Sequence, residues 1–494
     1  MKKHAFIILI LVIFKLGIQL LGNRNYGFHR DELLHLSASE HLAWGYYEFP
    51  PFIAFIGKLA YLFFDYSLMG MRLFPTLAGV MILILCCLIA KEIGGRQRAI
   101  IFSGICILAF IPFYRNHTLF QPVAFDQLFW TLGFYWIIKF TNTNNKNFLL
   151  LTGLTLGLGL LNKYTILVWA FGLAMGIIFF NSSLLKNKWF YVSGISSLII
   201  FLPNLIWQFK NQYPLFTHLQ ALQKNQLDQL SYSEFILDQI EMLPTFIMFL
   251  FGLGGFLFLK RLAKFRFVGF AAFTIFLSMW LLKSKSYYVF SLYPLLFAGG
   301  AVTVEYLLRK KPKWTYVAVA AVILPSIYFI PEGTPILPIE KHLSYKGIVE
   351  RDGRYHLTND YADMFGWEEQ VKLVDSIYKT LSQNEKQNAV IWAENYGEAG
   401  AIKILGRKYN LPSPISRHGS FWKWGFDNKE ASVWISLGNE KEAVEAIFEE
   451  SELVKIIRHP YAIDEENEIP LYLCRKPKMD IKIWWEDYEP YIFD

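Results

Sequence analysis

Eleven apolar runs, with every second connection between them basic, constrain this chain more than any other feature. An apolar helix needs about 20 residues to cross roughly 30 Å of hydrocarbon, and runs of that order or slightly shorter stand near 5–22, 70–90, 99–114, 122–139, 148–161, 164–181, 189–208, 242–259, 266–282, 287–306 and 314–330. The composition agrees: 54% of residues are hydrophobic and only 18% are charged, against about a quarter charged in soluble proteins. The first run is too long, and too poor in small residues at its end, for a cleaved signal peptide, so it is taken as a span. The expectation is an α-helical polytopic membrane protein of about eleven transmembrane helices.

Lysine and arginine are retained on the cytoplasmic side of a bilayer. Lys2 and Lys3; Lys91, Arg96 and Arg98; Lys139 and Lys146; Lys186 and Lys188; Lys260, Arg261, Lys264 and Arg266; and Arg309 to Lys313 mark every second connection. The N-terminus is therefore expected in the cytoplasm, with the loops 23–69, 209–241 and 283–286 and everything beyond 330 on the outer side of the cell (inner) membrane. The net charge of +7 is absorbed by topology and lipid headgroups, and no nucleic-acid partner is needed to explain it. Cys86, Cys87 and Cys106 lie in spans and Cys474 stands apart, so neither a disulfide framework nor a cysteine metal site is indicated.

Pro331, Pro335 and Pro338 mark a change of texture. A membrane domain, 1–330, is expected to give way to an extracytoplasmic α/β domain, 331–494. In the latter, NAVIWAENYGEAGAIKILGRKYNLP (388–412) reads as strand, turn and helix, and ASVWISLG followed by NEKEAVEAIFEE repeats that order. Tyr396, His418, Trp422 and Trp424 form an aromatic group that either stacks on a sugar or packs the domain.

Chemistry is concentrated on the outer side. FHRDELLHL (28–36) places Asp31 and Glu32 just beyond the first span, where a carboxylate pair is tolerated near water yet can be sheltered between helices. It is followed by HLAWGYYEFPP, with Glu48, and by the amphipathic IAFIGKLAYLFF, suited to the membrane interface. Asp126 begins the fourth span, and an acid within such a run is a functional candidate by default. Arg72, Arg115, Lys163, Lys283 and Lys285 lie at the same side; each is also able to snorkel to headgroups.

These residues carry a resemblance. DEL in the first outer loop, YYEFPP, an Asp after a QP-containing loop, GLLNKYT, FLPNLIWQFKNQYP and the KSKSYY start of a late span, in this order over residues 20–310, resemble the family 39, PMT-like and aminoarabinose-transferase-like glycosyltransferases of GT-C architecture. ADMFGWEEQV, NYGEAGAI and SRHGSFWKWG are similar to the outer domain of a bacterial branch. The resemblance implies inverting transfer of a sugar from a polyprenyl-phosphate donor to a lipid, glycan or protein acceptor at the outer face. It makes Asp31 the candidate general base, Glu32 its substitute and Asp126 a further catalytic acid. Arg72, Lys163, Lys283 and Lys285 become candidates for the donor phosphate, and Glu48, Tyr287, Tyr396 and Trp422 for acceptor or sugar. Such a displacement needs a base for the incoming oxygen and cations for the departing phosphate, but no acid for the leaving group. Where aminoarabinose transferases carry an acid-lysine-proline run, this chain has Glu48-Phe49-Pro50, which argues against a lipid A phosphate as the acceptor's anchor. His29, His35 and His41 leave a divalent metal open, with no metal ligand assigned and no other cofactor expected. A multi-span transporter or flippase of an anionic or lipid-linked substrate is the alternative, although its charges belong near the bilayer centre; a sensor or scaffold leaves the acids and lysines unexplained.

Overall fold

In the computed structural model residues 2–425 and 430–487 are described, the side chains of residues 2–4 and 487 excepted, so the basic pair Lys2 and Lys3 lies outside the described side chains. Each of the eleven apolar runs is helical, from Lys2–Asn23 to Trp314–Gly333. By length and composition six of the described helices can cross a membrane, or seven if the pair Tyr232–Glu241 and Thr245–Phe258, bent by 106°, is one span. The run 99–114 is not continuous: helix Gln97–Ala109 stops at the extended residue Phe110, and Pro112, which has no N–H to donate, opens a separate turn, Pro112–Asn116. The last span continues through Pro331 to Gly333.

The chain forms two compact units, residues 1–23, 49–52 and 72–336 in one and residues 24–48, 53–71 and 337–494 in the other. Helices of the first unit approach closely where glycine leaves room. A Cβ on Gly176 would lie 2.1 Å from the Phe267 carbonyl oxygen, and one on Gly252 would lie 2.0 Å from that of Leu296. Small residues at such crossings let backbones meet and recover dispersion energy that hydrophobicity cannot supply in lipid.

The second unit carries a five-stranded sheet of β1 (Ala389–Ala393), β2 (Pro414–Ile415), β3 (Val433–Leu437), β4 (Phe448–Ile457) and β5 (Ile469–Pro477), in the order β2-β1-β3-β5-β4. β1 pairs in parallel with both β2 and β3, whereas β5 runs antiparallel to β3 and β4. The central strands AVIWA and VWISL are buried at every position, as parallel strands covered on both faces must be. Val390, Trp392, Trp434, Val444, Phe448 and Cys474 build the core. NEKEAVEAIFEE departs from the expectation, because its helix ends at Ile447 and the chain continues as edge strand β4.

Candidate active site

The first-loop acids stand on helix Arg30–Ala38, whose N-terminus is closed by a reciprocal cap. The His29 Nδ1 accepts from the Asp31 N–H at 3.2 Å, and Glu32 Oε2 accepts from the His29 N–H at 2.9 Å. Glu32, wholly buried, is thereby used in the cap. Asp31 is partly exposed, and its Oδ1 accepts a hydrogen bond from the Tyr396 hydroxyl at 3.0 Å. On either side the loop is fastened to residues 363–365 and beyond. The Gly27 N–H donates to the Met364 carbonyl, Arg30 Nε donates to Asp363 Oδ1 at 2.7 Å, and His29 Nε2 lies 3.1 Å from Asp363 Oδ2. Burial pushes the Asp363 carboxyl above its usual range, against the opposing pull of His29 and Arg30.

Helix Tyr396–Leu405 follows β1 and begins at Asn395, whose side chain caps Gly397 and Glu398 N–H groups. It packs on the first-loop helix through glycines. A Cβ on Gly397 would meet the Trp367 ring at 2.6 Å and Arg30 Cβ at 3.2 Å, and one on Gly400 would meet Leu33 Cβ at 2.8 Å. NYGEAGAI is thus the sequence that lets Tyr396 reach Asp31. Gly400→Val is expected to lower stability by about 1–3 kcal/mol, the usual effect of overpacking, and to impair transfer with it. An unchanged thermal melt of the purified variant would show that the two helices separate without cost.

Residues 41–48 are fastened in the same unit. Glu48 Oε1 accepts from the Ser420 N–H at 2.7 Å and Oε2 from the Ser420 hydroxyl at 2.6 Å, while Tyr47 N–H donates to that hydroxyl. His41 stacks on Trp424 with ring centroids 4.4 Å apart. Glu48 therefore serves as a fastener between loop and sheet domain, and burial raises its pKa against the lowering effect of Ser420. Trp422 donates to the Trp485 carbonyl and packs against the sheet core.

In the first unit Asp126 is 3% exposed on helix Pro122–Thr143. It accepts from Trp130 Nε1 at 3.0 Å and from the Ser291 hydroxyl at 3.2 Å, with Lys163 in electrostatic reach. Asn162 donates to the Pro122 carbonyl, which fastens the GLLNKYT turn to the head of the Asp126 helix. The Lys163 ammonium lies 4.2 Å from the Tyr288 ring centroid and 5.5 Å from that of Tyr287, a cation–π arrangement. Asp126, Lys163 and Tyr287 thus meet. The other cations disperse: Lys283 lies over Tyr232, Lys285 faces His218, and the wholly buried Arg72 donates to the Asn23 carbonyl. Burial, aided by Lys285, holds His218 at about 4 and hence neutral near pH 7.

Three features escape the sequence reading. Lys15, wholly buried within the first span, lies over the Tyr114 ring and near His117, itself bonded to Gln127. A lysine inside an apolar run is the signal that marks it. The Arg30–Asp363 pair leaves no trace in spacing. Nor does the buried acid pair Glu398 and Glu466, bridged by Asn395. Among the described residues no group of three or more His, Cys, Asp or Glu side chains is arranged to hold a metal.

This geometry can be set beside known proteins. Residues 48–207, about a third of the chain, match the family model described as dolichyl-phosphate-mannose-protein mannosyltransferase. The fold is similar to that of ArnT from Cupriavidus metallidurans bound to undecaprenyl phosphate, with a TM-score of 0.64 at 12% identity over 94% of this chain and 97% of that one. Residues 48–207 thus resemble the mannosyltransferase family, and the chain as a whole shares the fold. An oligosaccharyltransferase from Archaeoglobus fulgidus shares the fold with a TM-score of 0.54 at 12% identity; 83% of this chain is covered but only 64% of that longer one. No protein of curated function matches the chain by sequence. The helical GT-C fold, with several apolar helices long enough to cross a membrane, stands as expected.

Proposed function

We propose that the protein is a glycosyltransferase that moves a sugar from a polyprenyl-phosphate donor to an acceptor hydroxyl at the outer face of the inner membrane. The observation that carries the reading is the setting of Asp31: a partly exposed carboxylate, held through one oxygen by Tyr396, on a capped helix that follows the first span in sequence. The structural likeness to a transferase solved with undecaprenyl phosphate supports the donor class. Asp31 takes the proton of the acceptor hydroxyl as its oxygen attacks the anomeric carbon, and the bond from that carbon to the phosphate oxygen breaks with inversion. The polyprenyl phosphate leaves as an anion, so cations replace an acid. Lys163, oriented by Asp126 and Tyr288, is the leading candidate, with Arg72, Lys283 and Lys285 as further ones and Tyr287 beside the sugar. The missing lysine after Glu48 favours an acceptor that is not anchored by a lipid A phosphate.

The test is transfer by purified protein from synthetic polyprenyl-phosphate sugars, with mass spectrometry of the envelope glycans and glycolipids of a deletion strain to identify the missing residue. Failure to release polyprenyl phosphate from any such sugar would sink the reading. Lys163→Met is expected to raise the donor concentration needed by about tenfold, or roughly 1.4 kcal/mol. Equal donor use by the folded variant would leave Lys163 a structural cation. Orientation is checked separately: a reporter fused after residue 340 is expected to be active only outside the cytoplasm, because the basic connections alternate. Activity on the cytoplasmic side would exclude the outer-face mechanism.

A further inference from the structure

We propose that Tyr396 is a positioning residue for transfer: its hydroxyl aims the Asp31 carboxylate, so the sheet domain completes the catalytic base rather than merely covering it. This rests on Asp31 being the base, and replaces the aromatic sugar-stacking role that composition suggested for Tyr396.

Four observations carry it. The hydroxyl donates to Asp31 Oδ1 at 3.0 Å across 365 residues of sequence. Tyr396 is the first residue of its helix, where the Asn395 cap and the reciprocal Glu398 bond fix the backbone. Its ring packs edge-on against His418 at 4.6 Å, which restrains the side chain's swing. Gly400 then brings this helix so close to the first-loop helix that a Cβ there would collide with Leu33, and at Gly397 a Cβ would come within 3.2 Å of Arg30 Cβ. Burial, reinforced by Asp31, pushes the phenol well above its ordinary value, so it remains a proton donor. Because a phenol has one proton, committing it to Oδ1 selects the orientation of the carboxylate plane. The consequence is directional. A carboxylate free to rotate would present its basic oxygen to the acceptor only part of the time, and the penalty falls on the chemical step.

Tyr396→Phe removes the oxygen and leaves the ring packing. The variant is expected to fold with an unchanged melting temperature and to lose about tenfold in kcat, with KM for donor and acceptor within about twofold. Asp31→Asn alone should be far more impaired, and the double variant Asp31→Asn with Tyr396→Phe no worse than Asp31→Asn, because a positioning residue has nothing to position once the base is gone. Wild-type kcat in Tyr396→Phe while Asp31→Asn is inactive overturns the positioning role and spares the base. A rise confined to KM, or an independent further loss in the double variant, also overturns it by showing direct contact with substrate. Activity in Asp31→Asn removes the base itself, and the proposal falls with it.

Discussion

Asp31→Asn is expected to lower transfer by roughly 10²- to 10⁴-fold, the range for loss of a general base, while the protein still binds its polyprenyl-phosphate donor. Asparagine matches aspartate in size, and its carbonyl oxygen can still accept from Tyr396, so the hydrogen bond at 3.0 Å need not be lost. What disappears is basicity. The control is Glu32→Gln. Because Glu32 is buried and accepts from the His29 N–H, its replacement should weaken the helix cap and reduce stability by about 0.5–2 kcal/mol, without a comparable fall in activity per folded molecule. Steady-state transfer and donor binding measured on both purified variants decide the matter. An active Asp31→Asn with an inactive Glu32→Gln would exchange the roles; activity in both would move the search for the base to Asp126.

What could be read from the sequence follows from how each feature is encoded. Apolar runs specify helices by themselves, because lipid offers the backbone no other partner, and so Leu68–Glu92 and Lys188–Lys210 were legible without tertiary knowledge. The helix of NEKEAVEAIFEE was legible only as far as Ile447. Its glutamates and alanine favour helix, but Phe448 belongs to the sheet core and draws the following residues into pairing with β5. The site shows the same division. A carboxylate pair beside a span advertises chemistry, whereas the partner that distinguishes Asp31 from Glu32 lies 365 residues away. Glu48 stood out as an acid in an aromatic loop; its bonds to Ser420 depend on a contact that spacing does not encode.

The buried acids beneath the Tyr396 helix give the outer unit a pH dependence of unusual sign. Glu466 is 2% exposed, accepts from Gln370 and Asn395, and faces Arg30, Asp363 and Glu398. Burial, with Asp363 adding to it, raises its pKa from 4.5 to about 7 despite Arg30 and both hydrogen bonds. Burial and the neighbouring acids push Glu398 well up too. Below about pH 4.5 Glu466 is protonated both folded and unfolded and adds no slope. Between about 4.5 and 7 the unfolded chain releases its proton while the folded one keeps it, so stability falls as pH rises. Above about 7 its contribution is constant, and Glu398, shifted in the same direction, adds to the decline. Most carboxylates act in the opposite direction, so the contrast with a variant isolates the effect. Glu466→Gln keeps the size of the side chain and one acceptor oxygen for the N–H groups of Gln370 and Asn395, but cannot ionise. Its melting temperature should lose this part of the downward slope between pH 5 and 7, and it should exceed that of the wild type at pH 8. Because Asn395 bonds Glu466 and caps the helix that starts at Tyr396, wild-type transfer should weaken over the same interval if the helix end loosens as the pair charges. Parallel melting curves for the two proteins across pH 5–8 would mean that Glu466 ionises in the fold as it does in water.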